Sequence, residues 1–139
     1  MNMREEAHQE AMRAPIAKLA TELQRTLGQQ ITAYAVGLRD PRAIGKYARG
    51  EVKKPSDATT ARLRKLYVIT RILLTRETPE TIRAWMIGAN PLLEDRPPVQ
   101  LLHEENDQTV EGAAQTAAGS PVTGYRPVVQ AAEAFITAA

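Results

Sequence analysis

Apolar positions along this chain recur at steps of three and four, the spacing that lines one face of a helix, and nowhere alternate as a half-buried strand requires. Behind Pro15, residues Ile16, Leu19, Ala20, Leu23 and Leu27 form such a stripe with Lys18, Glu22 and Arg25 between them, and Gly28 supplies its stop. A short helix is predicted over about Gln30 to Val36, ending at Gly37. Asp40 then offers a side-chain acceptor to the amides of a third helix, Pro41 fits its first position, and the helix runs to about Arg49 before Gly50 closes it. Lys53-Lys54-Pro55 reads as an exposed basic loop. From about Ala58 to Arg76, the set Leu63, Leu66, Tyr67, Thr70, Leu73 and Leu74 marks a longer helix, with Arg62, Arg64, Lys65 and Arg71 mostly off the stripe.

Thr78-Pro79-Glu80 restarts a helix through Ile82, Trp85 and Met86 to Gly88, and Asn90-Pro91 repeats the cap-then-proline signal before Leu92-Leu93. After Arg96-Pro97-Pro98 a short helix carries Val99, Leu101 and Leu102. Asn106 or Asp107 is then expected to cap another helix through Val110, Ala113 and Ala117 to Gly119. Ser120 to Pro127 reads as a linker, and an alanine-rich helix is expected from Val128 to Ile136. The expected fold is all-α, a small multi-helix bundle. It divides into a flexible N-terminus at 1–14, a helix-turn-helix domain at 15–76, a second helical unit at 77–119, and a linker and tail helix at 120–139.

Composition narrows the chemistry. The 139 residues, 43% hydrophobic, suffice for one compact domain or two very small ones. With no cysteine, zinc fingers and disulfides are excluded, and two distant histidines, His8 and His103, make no metal site. No glycine-rich phosphate loop, no nucleophile matched to a base and no metal-ligand spacing is present, so no catalytic residues and no cofactor are assigned and the chain is not expected to be an enzyme. The longest mostly apolar run, Leu66 to Leu74, is interrupted by Arg71 and falls far short of the roughly 20 residues a membrane span needs. The charged start, with Arg4, Glu5, Glu6 and Glu10, does not resemble a secretory signal, so a cytoplasmic location is expected.

Net charge is only +2, but residues 13–76 carry fourteen bases against four acids while residues 77–139 carry three against nine. Such a split fits a polyanion partner for the first half and a cationic or mixed one for the second, or simply an ordinary solvated surface. Within the basic half, Arg39, Arg42, Lys46 and Arg49 step by three, four and three along one helical stripe, and Ile44 and Tyr47 face elsewhere. A helix laid in the major groove needs long donors on its outer face and apolar anchors behind. Arg39 and Arg42 lie at the end that reaches base edges, and Lys46, Arg49, Lys53 and Lys54 suit phosphates. The step from Gly37 to Ile44 is one residue longer than in the commonest helix-turn-helix pattern, so either the turn is longer or another residue takes the glycine's part.

The run Asp40-Pro41-Arg42-Ala43-Ile44-Gly45-Lys46-Tyr47-Ala48-Arg49-Gly50 with Pro55, then Arg62-Leu63-Arg64-Lys65-Leu66, resembles the Xre-like domain of Xre/MbcA/ParS antitoxins, where a tryptophan is usual at the place of Tyr47. Trp85-Met86, Asn90-Pro91, Leu93, Asp95, Pro98 and Leu101-Leu102 resemble that family's toxin-binding domain, which reads as tryptophan, then an Asn/Pro pair, then L-x-G-x-x-P and paired aliphatics; here Asp95 stands where glycine is usual. The resemblance covers about residues 16 to 119.

It implies an antitoxin that neutralises a RES-domain, NAD-degrading toxin encoded beside it and represses its own operon by binding operator DNA, as a homodimer within a larger toxin–antitoxin complex. Trp85, Asn90, Leu92, Leu93, Arg96, Pro98, Leu101, Leu102, Glu105 and Glu111 are the toxin-binding candidates that it implies, with the stretch from Glu104 through Gly119 facing the toxin. Blander roles stand beside these: Trp85 as a core anchor, Asn90 and Pro91 as a helix cap, the acids as a solvated face, His103 as a surface residue. The tail, with Tyr125, Arg126, Phe135 and Ile136 as its large groups, folds on a partner, packs on a second copy or stays disordered. The competing readings are a stand-alone helix-turn-helix regulator whose second half dimerises it, and a protein-interaction bundle whose basic stripe is incidental.

Overall fold

The computed structural model of the chain describes residues 2–52, 55–108 and 124–138. Among these the elements are α1 (Met3–Arg13), α2 (Ile16–Leu27), α3 (Gln29–Val36), α4 (Arg42–Ala48), α5 (Asp57–Leu74), α6 (Pro79–Ile87), a 3-10 turn (Pro91–Leu93), α7 (Pro98–Gln108) and α8 (Tyr125–Thr137). The all-α expectation holds. No helix among the described residues is long and apolar enough to cross a membrane.

α5 is the axis of the bundle. Ser56 caps it by accepting from the Thr59 amide at 3.1 Å, and Leu63, Leu66, Tyr67, Val68, Ile69, Ile72 and Leu73 are buried nearly all around it. A helix apolar on every side needs neighbours on every side. α1, α2, α3, α6 and α8 all pack on it, and one continuous cluster of buried side chains runs from Ala7 to Ile136. α6 and α7 join that cluster through Ile82, Met86, Leu101 and Leu102, and the Arg83 guanidinium donates to the Thr26 carbonyl at the end of α2 at 3.0 Å.

Three sequence expectations need correction. The N-terminus, expected flexible, is helix α1. Asn2 caps it, its side-chain oxygen accepting from the Glu5 amide at 2.8 Å and its Nδ2 donating to the Glu5 carboxylate at 3.1 Å, and Ala7, Ala11 and Ala14 are buried against α5. Glu10 accepts from the Tyr67 hydroxyl at 2.9 Å and from Arg71 Nε at 3.2 Å, while Arg64 donates to the Ala11 carbonyl and, at 2.8 Å, to that of Ala14. Those bonds satisfy carbonyls that a helix end otherwise leaves unpaired.

The tail, 120–139, was expected as a linker with a terminal helix. Tyr125, Arg126 and Pro127 belong instead to the first turn of α8, where a proline loses no needed amide hydrogen bond. Val128, Val129, Ala131, Ala132 and Ile136 are buried against α5, α7 and the 3-10 turn, and Arg4 of α1 pairs with Glu133 at 3.0 Å. α8 is therefore part of the core of this one chain. Finally, α7 continues through Asn106 and Asp107 to Gln108, so neither starts a new helix. An N-cap residue itself takes non-helical backbone, whereas both of these are inside α7, and no glycine or proline interrupts the helix there. The expected helix through Val110 to Gly119 lies outside the described residues.

Candidate functional site

α4 has only seven residues, and its two faces differ completely. Inward, Ile44 is fully buried and Gly45 lies so close to its neighbours that a Cβ there would meet Gln29 Nε2 at 2.8 Å; Gln29 in turn donates to Gln24 at 2.7 Å. The space beside Gly45 is taken by side-chain ends, Gln29 and Gln24 from the neighbouring helices and Arg49 Nη1, which a Cβ would meet at 3.1 Å. Tyr47 packs at the edge of the core. Outward, Arg42, Lys46 and Arg49 are exposed along one line, with exposed Arg39 in the turn before them.

Both α3 and α4 end on a left-handed glycine. At Gly37 (φ 80°) the next amide, Leu38, donates to the Ala33 carbonyl at 2.8 Å, and at Gly50 (φ 73°) the Glu51 amide donates to Lys46 at 2.9 Å. These paired closures turn the chain sharply at each helix end. The connection from Gly37 to Pro41 is five residues long, so the Gly37–Ile44 step spans this turn and the first residues of α4. Asp40 does accept from the Arg42 amide, at 2.9 Å, though the helix begins one residue after Pro41.

The stripe is less positive than its sequence suggests. The Arg42 guanidinium grips the Asp40 carboxylate, which that contact holds below the usual carboxylate range, and Arg49 pairs with Glu51 at 2.5 Å with the same effect on Glu51. Both pairs are exposed, so their worth to stability is small. Lys53 and Lys54 lie outside the described residues.

The second half presents another kind of surface. Of the ten candidates there, Leu93, Pro98, Leu101 and Leu102 are buried and build the core under α6 and α7. Asn90 is a buried cap whose side chain accepts from the Leu92 amide at 2.9 Å. Arg96 is half-buried and paired with Glu104; burial pushes that carboxyl up, but hydrogen bonds from Arg96 and Gln100 outweigh it and hold it low. Glu105 is half-buried and lies against Gly124, where a Cβ would come 2.5 Å from its Oε1. Glu111 lies outside the described residues.

Trp85 is half-buried and Leu92 exposed, and with them Ile87 of α6, which sequence reasoning missed, and Phe135 of α8 are exposed. Trp85 meets Phe135 of α8 at 6.0 Å between ring centroids, and Leu92 and Ile87 are 62% and 57% exposed. Glu80, Glu94 and Asp95 on the same elements are exposed, whereas their arginines are turned inward, Arg83 to Thr26 and Arg96 to Glu104. These elements therefore expose large apolar side chains together with carboxylates.

His103, expected at the surface, joins α7 to α3: its ring stacks on Tyr34 at 3.9 Å, and its Nδ1 lies 2.9 Å from the Tyr34 carbonyl, an acceptor that requires the hydrogen on that nitrogen.

No protein-family model, curated protein or solved structure matches the chain.

Proposed function

We propose that this chain is a DNA-binding antitoxin of the Xre/MbcA/ParS type, which binds its own operator through α4 and neutralises a RES-domain, NAD-degrading toxin through its second half. The observation that carries the reading is the exposed line Arg39, Arg42, Lys46 and Arg49 on a short helix whose other face, Ile44 and Gly45, is sunk against α2 and α3. In this reading α3, the five-residue turn and α4 are the helix-turn-helix, and α4 enters the major groove. Two copies of the chain would then address two half-sites.

Two observations favour the toxin partner over a regulator that merely dimerises. Asp95 adopts φ 63°, a conformation that suits the glycine usual at this place in the family pattern. The elements that carry Trp85 and Leu92 also expose acids, which two copies related by a two-fold axis would press against one another and a basic partner would neutralise.

The test is co-expression of the intact chain with the product of the neighbouring gene, reading growth and NAD level. Rescue of growth with restored NAD supports the antitoxin; no toxicity and no complex leaves the stand-alone regulator. Deleting residues 77–139 is not a clean arm of this experiment, because α6, α7 and α8 share the core with α2, α3 and α5.

A further inference from the structure

Two carboxylates stand on the basic stripe, and one is placed to do more than reduce its charge. Asp40 meets Arg42 side-on: Nε donates to Oδ1 at 3.1 Å and to Oδ2 at 3.3 Å, and Nη2 donates to Oδ2 at 3.1 Å. The same carboxylate accepts from the Arg42 backbone amide at 2.9 Å, and Pro41 between them has φ −57°, where its ring restrains it. The acid is thus tied to the backbone of the residue whose side chain it holds.

A guanidinium carries five N–H donors in a planar fork. Side-on contact uses the Nε hydrogen and one Nη2 hydrogen. It leaves both Nη1 hydrogens and the second Nη2 hydrogen, the end-on edge that fits the O6 and N7 acceptors of guanine in the major groove. It also occupies one of the two edges by which a guanidinium grips a phosphate, and sets the negative Asp40 carboxylate beside the edge left free. Among the described residues neither Arg39 nor Lys46 is bonded to a carboxylate, so those two remain for the backbone of a duplex.

We propose that Asp40 is a positioning residue that holds Arg42 side-on so that its end-on edge reads one guanine, and that keeps Arg42 from indiscriminate phosphate binding. This rests on the reading of α4 as the element that enters the major groove.

The experiment uses the full chain. A duplex is selected from a random pool, and binding to it and to a scrambled duplex is measured for wild type, Asp40→Ala and Asp40→Asn, the last keeping an acceptor for the Arg42 amide if the turn needs one. Asp40→Ala is expected to bind the scrambled duplex a few-fold more tightly, with a steeper salt dependence, and to lose about 5- to 100-fold in selected-over-scrambled preference. Replacing the guanine concerned by 7-deazaguanine, which lacks N7, should weaken wild type and leave Asp40→Ala little changed.

An unchanged preference in both variants overturns the proposal, as does an equal fall in affinity for both duplexes. Wild type that binds DNA without any sequence preference overturns this proposal alone. Wild type that binds no duplex overturns the DNA reading and this proposal with it.

Discussion

The α4 face and the face formed by α6, the 3-10 turn and α8 are both exposed, and they keep their charges in opposite ways. On α4 and the turn before it the cations point outward and acids beside them hold two of the four, Arg42 and Arg49, in place. On the other face Arg83 and Arg96 turn inward, to a carbonyl and to Glu104, and Glu80, Glu94 and Asp95 are left exposed on the elements that carry Trp85 and Leu92. The first arrangement suits a charged, hydrogen-bonding partner whose edges must be read; the second suits an apolar contact whose rim sets partner choice. Segment charge hinted at this contrast, but it does not say which charges face out.

The largest effect should come from removing the anchor under the basic face. Ile44→Ala empties a fully buried site on a seven-residue helix, so stability should fall by about 2–4 kcal/mol in a denaturant melt, with duplex binding lost alongside. If binding survives that loss, α4 is not the contacting element. The double variant Arg42→Ala/Lys46→Ala separates the surface from the fold. Its melt should be unchanged within roughly 0.5 kcal/mol while duplex affinity drops about 10- to 100-fold and the salt slope shrinks by about one phosphate, that of Lys46.

Leu92→Asp sharpens the other side of the comparison. With Leu92 62% exposed, folding and DNA binding should hold, and neutralisation of the toxin in the co-expression assay should fail. Rescue equal to wild type would remove this face from the toxin contact. The smallest effect concerns the lock between α1 and α5. Burial, and secondly the hydrogen bond to Glu10, push the Tyr67 phenol up to about 12. A folded value above the unfolded value of about 10 means its contribution is whole below pH 10 and is lost as pH rises toward 12. Stability of wild type should therefore decline across that window more steeply than that of Tyr67→Phe, and parallel profiles would refute the assignment.

How much of this was legible varied with the kind of side chain. Leu- and Ile-rich helices α2 and α5, and the proline and glycine punctuation around α3, α4 and α6, were found within a few residues. α1 was not, because it buries only alanines among charges; Asn2 as a cap ahead of Glu5 and Glu6 was the available sign. Asp40 was recognised as a cap, but its grip on Arg42 was not, because a local pairing of exposed side chains leaves no periodic trace.

What the amino-acid order determined by itself is the all-α class, most helix limits and the basic line on α4, since each depends on backbone propensity and spacing within a few residues. The tertiary structure alone decided that α8 belongs to the core, that Leu101 and Leu102 are interior while Leu92 is not, and that Trp85 meets Phe135 fifty residues away. Helical spacing says which residues share a face; whether that face is covered depends on which neighbours the whole chain brings to it.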